Sequence, residues 1–335
     1  MTPMNRRSLL AASAVLALPA LPRLARAQAA ATMRLSHQYP PSHQVSRVIA
    51  TFAETVKTRS NGAIDVQVYP AEQLARAAEN FPGVARGAFE AAAAVNFQWG
   101  NTLPEMNAVT LPYVFSQLER IQKFPGSDAA KLLESLLEKR AVKNLMWLYT
   151  TRQAIFTSGK KPLIAVDDFK GMKIRGLNAL TDNGLAAAGA APSSMPGPDV
   201  PQALQSGVLD AGLTDVSAAV SRRYYEIQKF GTVAPWFCVF THVYVNPRWF
   251  AGLKPEHRAI IEAAAREAEQ QQIPITEKVA EDAVVELKAK GMALHLQTEA
   301  ETEAWTKVMQ PPVIQAFLKL APENGQRVLD LLKQL

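Results

Sequence analysis

Apolar positions along the chain switch between a period of two and a period near 3.6, the pattern of strands alternating with amphipathic helices. From Thr32 the order is strand, helix, strand, helix, strand. Met33-Arg34-Leu35-Ser36 enters the loop His37-Gln38-Tyr39-Pro40-Pro41-Ser42-His43, and residues 46–59 carry Val48, Ile49, Phe52 and Val56 at helical spacing. Ile64, Val66 and Val68 alternate as a half-buried strand does. Residues 74–87 predict a helix, and 91–95 a buried strand stopped by Asn96-Phe97-Gln98-Trp99-Gly100. Such alternation implies a sheet with helices on both faces.

The second half repeats the logic. Residues 132–140 predict a helix, 145–149 a strand and 154–157 another extended piece. A helix is expected around 177–188, then an irregular stretch over 189–198, where Gly189, Pro192, Pro196, Gly197 and Pro198 exclude regular helix. Residues 199–205 predict a short helix capped by Asp199, and 208–213 a strand. The Ala-rich, charged run 255–290 predicts a long helix bent at Pro274, able to brace two lobes.

The start of the chain departs from this pattern. Arg6-Arg7-Ser8-Leu9-Leu10, an Ala/Leu/Val run to Leu21 and Ala25-Arg26-Ala27 form an export signal, with cleavage expected after Ala27. The paired arginines fit either a twin-arginine or an ordinary secretory signal. Removing residues 1–27 takes Arg6, Arg7, Arg23 and Arg26 and no acidic residue, so the formal charge falls from +6 to +2. A nucleic-acid partner therefore loses its compositional support. No later run reaches 18 uninterrupted apolar residues, so the mature chain is expected to be soluble and periplasmic. The single cysteine, Cys238, lies in the apolar stretch 236–240 and is expected to be a buried, inert thiol.

Candidate chemistry centres on Arg175. It ends Asp168-Phe169-Lys170-Gly171-Met172-Lys173-Ile174-Arg175, a tight glycine turn running into a strand, and Arg152 lies 23 residues earlier. A guanidinium fork meets a carboxylate with two charge-assisted hydrogen bonds, so this pattern suggests a clamp for an organic anion. Nucleophile elbows, paired cysteines, phosphate loops and dinucleotide fingerprints are absent from the sequence, and no cofactor or metal is expected. His37, His43, His242, His257 and His295 are scattered without metal-ligand spacing. His257 reads as a residue of a solvated first helical turn, and His37 as the end of a strand at a sheet edge.

Several landmarks occur in a fixed order. They are the loop 37–43, Tyr69-Pro70-Ala71-Glu72-Gln73-Leu74, Leu111-Pro112-Tyr113-Val114-Phe115 and the stretch 168–175. Ala203-Leu204-Gln205-Ser206-Gly207-Val208-Leu209-Asp210, the stretch 224–230 and Glu262-Ala263-Ala264-Ala265 follow. The whole mature chain thereby resembles the solute-binding proteins of tripartite ATP-independent periplasmic (TRAP) transporters, the DctP family. That resemblance implies an α/β fold, a two-lobed periplasmic-binding-protein clamshell with a long helix spanning both lobes. It also implies an organic-acid ligand and a permease pair of one small and one large membrane subunit. The lobes are expected at 28–150 with 238–254, and at 151–237 with 255–335.

In that family the arginine matching Arg175 pairs with the substrate carboxylate, and a second pocket arginine matches Arg152, although Tyr149-Thr150 replaces the usual preceding glycine. Asn178 falls where the family lines its pocket. Thr214 takes the place of a substrate-contacting Asn, and Gly197 that of a Phe, which suggests open space for a bulky ligand. With Phe97, Trp99, Phe156, Trp236 and Phe237 near predicted pocket-forming loop or strand ends, an aromatic or branched carboxylate is the expected ligand, and Asn96, Asp215 and His37 are further candidate site residues. Two alternatives stand beside this reading. One is an exported enzyme using Asp215 as general base. The other is the binding protein of another uptake system.

Overall fold

The computed structural model describes residues 31–100 and 102–335. The export signal expected at 1–27 lies outside them.

The first lobe opens with β1 (Ala31–His37), α1 (Gln44–Arg59), β2 (Ile64–Tyr69), α2 (Ala77–Ala85) and β3 (Ala91–Val95). It continues through two 3-10 turns to α3 (Leu118–Lys123), α4 (Asp128–Glu138) and β4 (Lys143–Thr151). In α1, Val45, Val48, Ile49, Phe52 and Val56 are buried, a stripe at three- and four-residue spacing that docks on the sheet. The His43 side chain accepts from Val45 N and starts this helix two residues before the predicted one.

After β4 the chain crosses at Arg152-Gln153 into β5 (Ala154–Ser158), β6 (Lys173–Gly176), α5 (Asp182–Ala187), β7 (Ala191–Ser194) and α6 (Val200–Gln205). There follow β8 (Ala211–Asp215), α7 (Val216–Ser221) and β9 (Phe230–Ala234). A second crossing at 235–238 returns to β10 (Val239–Val245) and α8 (Pro247–Ala251). The chain closes with α9 (Pro255–Ala289), β11 (Ala293–Leu296), α10 (Glu299–Leu320) and α11 (Gly325–Lys333).

Two sheets result, in the orders β2-β1-β3-β10-β4 and β11-β9-β5-β8-β6-β7. β3 lies between β1 and β10, and all five of its residues are buried, which explains its apolar run Ala91 to Val95. β1 is flanked on both sides, so His37 ends an interior strand rather than an edge strand and is fully buried.

Helix α9 runs unbroken through Pro274, and Ala264, Ala265, Ala268, Ala280 and Ala283 let it lie close on its neighbours. Its Glu269 accepts from Trp147 N in β4, while Ala280, Ala283 and Leu287 pack with Val216 and Ala219 of the second lobe. α10 also bridges the lobes. Trp305 stacks edge-on against Phe156 and Phe169, and Val313 and Phe317 join the core around α4. α11 then places Val328, Leu329 and Leu332 in that same first-lobe core. Residues 255–335 are therefore shared between the lobes, not confined to the second, because the apolar faces of α9 and α10 run past both sheets.

Candidate functional site

Arg175 is placed by a short, over-determined strand. Gly171 turns with φ +73°, Lys173 N donates to Asp210 Oδ2, and β6 pairs with β7 and β8. Asp168, the first residue of the motif, is structural, and its Oδ2 accepts from Ile164 N and Ala165 N. The Arg175 guanidinium donates from Nε and Nη2 to Met195 O, at 3.2 and 3.1 Å, and from Nη1 to Leu213 O at 2.6 Å. Only 3% of the residue is exposed, and no acidic group lies within ion-pairing distance among the described residues. Burial works against its charge and lowers its pKa. Gly176 completes the turn, since a Cβ there would stand 2.1 Å from the Asp182 carboxylate that accepts from Leu177 N.

This guanidinium faces a cavity of about 30 Å³ between the lobes. The second lobe supplies Arg175, Leu177, Gly197, Thr214, Asp215 and Arg222. The first supplies Gln38, Tyr39, Val95, Phe97 and Thr150, and the returning crossover and the start of β10 add Phe237 and Val239. Phe97 presents its ring 5.9 Å from the Arg175 guanidinium carbon, a cation–π contact across the cleft.

Both rims of the cavity are closed by hydrogen bonds between lobes. On one side Asn178 Nδ2 donates to Phe97 O (2.8 Å) and Asn107 Oδ1 (2.7 Å), while Asn178 Oδ1 accepts from Leu180 N and Thr181 N. On the other, Gln44 Nε2 donates to Ser217 Oγ at 3.0 Å, and His43 Nε2 lies 3.3 Å from the same hydroxyl. The cavity holds little more than two waters, so an organic molecule enters only after these rims part.

Asp215 ends β8 and caps α7, accepting from Ala218 N at 2.8 Å and from Ser217 Oγ. Burial alone would raise its pKa, but His43, Ser217 and the Ala218 N–H favour the carboxylate and hold it at about 2. The neighbouring His43 is pushed down by burial.

The sequence candidates divide cleanly. Arg175, Phe97, Thr214 and Asp215 line the cavity, and Asn178 lies beside it as a rim fastener. Arg152 does not join them. Its Nη2 meets Glu277 Oε2 of α9 at 2.8 Å, and Tyr149 OH donates to the same carboxylate, so this arginine braces the crossing strand. Asn96 donates to Met106 O and Thr110 Oγ1 and accepts from Phe240 N, all inside the first lobe. Trp236 is core, edge-on to Phe156 and Phe237. His37 is buried behind the lining, its Nδ1 accepting from Tyr39 N. His257, expected in solvent, is only 8% exposed. Cys238 is buried and its thiol pushed well up by that burial, as its apolar surroundings predicted.

Gly197 was read as open space, and Arg222 was not singled out from the sequence. The space beside Gly197 is filled by the Arg222 guanidinium, which a glycine Cβ would meet at 2.7 Å from Nη1. The backbone of Gly197 does not require glycine, because its φ is outside the left-handed region. The signal for Arg222 was weak, two adjacent arginines at a helix end, and only the turn after them decides which one faces inward.

Two lobes joined by crossing strands, closed over a buried cation, define a ligand-binding clamshell. The chain belongs to family 7 of the bacterial extracellular solute-binding proteins, the DctP family, which it matches over residues 35–320. It is 29% identical over 282 residues to the C4-dicarboxylate-binding periplasmic protein DctP of Rhodobacter capsulatus, covering 83% of this chain and 84% of that one. A Bordetella pertussis extracytoplasmic solute receptor binding pyroglutamic acid superposes with a TM-score of 0.82 at 25% identity, over 90% of this chain and 99% of that one. A TRAP periplasmic solute-binding protein from Desulfovibrio salexigens with bound orotic acid gives 0.86 at 23% identity, over 90% and 97%. No helix among the described residues is long and apolar enough to cross a membrane.

Proposed function

We propose that this chain captures an organic acid between its lobes in the periplasm and delivers it to the membrane subunits of a TRAP transporter. The observation that carries this reading is Arg175, a buried guanidinium with no acidic partner among the described residues, facing the interlobe cavity. A buried charge without a counter-charge is expensive, and a ligand carboxylate relieves it. Arg175 makes three hydrogen bonds to backbone carbonyls, which fix the fork and leave two of its five N–H donors for a ligand. Contacts from both lobes then favour the closed state in proportion to the ligand's differential affinity for it. The relatives' ligands, a C4-dicarboxylate, pyroglutamic acid and orotic acid, share the carboxylic acid group that such a fork recognises.

The enzyme alternative draws less support. Asp215, its only named base, is a helix cap held at about 2, which makes it a poor proton acceptor near neutral pH. The bulky aromatic ligand also loses its motive, since Arg222 fills the space expected beside Gly197.

A thermal-shift screen of residues 28–335 against a panel of organic acids tests the reading. A ligand at a hundred times its Kd stabilises the native state by about 2.7 kcal/mol, which reads as a rise of several degrees. Failure of every acid to raise the melting temperature would overturn it.

A further inference from the structure

We propose that Arg222, seated against Gly197, is a second anion-holding point of the cleft, so that the ligand is a short acid carrying two anionic groups. This rests on the reading that the cleft binds an acid through Arg175. Arg222 is the last residue of the α7 turn, and its neighbour Arg223 adopts a left-handed conformation with φ +58°. That conformation is unfavourable for a side chain as large as arginine. It reverses the chain, so that Arg223 pairs outward with Glu226 while Arg222 turns into the cavity.

There the Arg222 guanidinium makes no hydrogen bond and no ion pair among the described residues, and its Nη2 is buried without a partner. Its one aromatic neighbour is Tyr39, whose ring centre is 6.0 Å from Cζ. Arg175 differs, because Met195 and Leu213 carbonyls already engage it. Asp215, the carboxylate in the same lining, lies beyond ion-pairing distance of both and is engaged by Ser217 and Ala218. Two guanidiniums thus share the lining of one small cavity, with Asp215 the carboxylate beside them. A single carboxylate on Arg175 leaves the donors of Arg222 unmet, whereas a second anionic group satisfies them. Gly197 is the cradle. Any Cβ there would press on Nη1, Cζ and Nη2 at 2.7, 2.9 and 3.0 Å.

Calorimetry on residues 28–335 decides the matter, using malonate, succinate and glutarate beside propanoate, butanoate and pentanoate. At least one diacid should bind about tenfold to hundredfold more tightly than the monoacid of equal carbon number, the scale of charge-assisted hydrogen bonds. In Arg222→Met this preference should collapse toward parity, while Arg175→Ala should weaken both classes. The unliganded Arg222→Met protein should melt at or above the parent temperature, since a half-buried guanidinium with an unmet Nη2 has gone. If that variant does not fold, Gly197→Ala decides instead, because its methyl displaces the guanidinium and should lower the same ratio. A parent protein without diacid preference, or a variant that folds and keeps it, overturns the proposal. Acid binding that requires Arg175 and ignores Arg222 removes this inference alone; no acid binding at all removes the reading beneath it.

Discussion

The two faces of the cleft are built differently. The first lobe presents Gln38, Tyr39, Val95, Phe97 and Thr150, with no formal charge, whereas the second presents Arg175, Asp215 and Arg222. The first-lobe histidines behind or beside this face, His37, His43 and His242, are all pushed toward the neutral form by burial. Formal charge in the cavity lining is thus concentrated in one lobe. The other supplies an uncharged wall that excludes water and strengthens each electrostatic contact when it closes. The difference also explains why the rims are fastened by neutral hydrogen bonds, which break and re-form with little net change, instead of by buried ion pairs.

Removing the charge from the second lobe should do most. Arg175→Ala forfeits two bonds to a charged ligand at roughly 1.5–3 kcal/mol each, so acid affinity should fall by about two to four orders of magnitude. Circular dichroism should still report a folded chain, and calorimetry unchanged from the parent would break the comparison.

Adding charge to the first lobe comes next. His37 is held at about 4 and His242 at about 3, both by burial. The Trp99 indole can only donate, so His242 Nε2 must accept its 2.6 Å bond and Nδ1 donates to Asn144 Oδ1; protonation destroys that arrangement. Groups depressed below their unfolded values contribute stability that is complete above about pH 6.5 and is lost as pH falls through the folded values. Glu269, raised by burial to about 7, acts in the opposite sense and loses stability as pH climbs from about 4.5 to 7. Three histidines outweigh one glutamate, so calorimetric Tm should fall from pH 6.5 to 4.5 and more steeply below. Asp215 adds its own loss between about pH 4 and 2. A flat or rising Tm between pH 6.5 and 4.5 would show that the first lobe tolerates charge.

Loosening the contact between the faces should matter less. Asn178→Ala removes two neutral bonds between lobes, worth about 0.5–1.5 kcal/mol each, and should weaken affinity roughly tenfold, mainly through faster release in stopped flow. An unchanged release rate would deny Asn178 its fastening role. Arg152→Gln should do least, because its partner is Glu277 and not the cavity. The partly exposed pair contributes at most about 1 kcal/mol, seen as a small drop in Tm with ligand affinity nearly constant.

Arg175 was legible in the sequence because a glycine turn, a short strand and a terminal guanidinium sit within eight consecutive residues and fold locally. The alternating elements were legible for the same reason. What escaped depends on contacts between distant segments. Arg152 resembled a ligand residue until α9 brought Glu277 to it across 125 positions. Gly197 read as open space because the side chain that fills it comes from Arg222, and Arg222 faces inward only because Arg223 turns left-handed. His37 was read at a sheet edge and His257 on a solvated first helical turn, while strand order and helix packing buried both.

The proposed function requires the Arg175 fork, and not merely its positive charge, to hold the acid. Calorimetry of Arg175→Lys with the best acid from the thermal screen tests it most directly. The lysine keeps the charge but loses the paired donors and the bonds to Met195 O and Leu213 O. Affinity lower by at least about tenfold, the loss of one charge-assisted bond, is the expected result. Parent affinity in that variant would contradict the account.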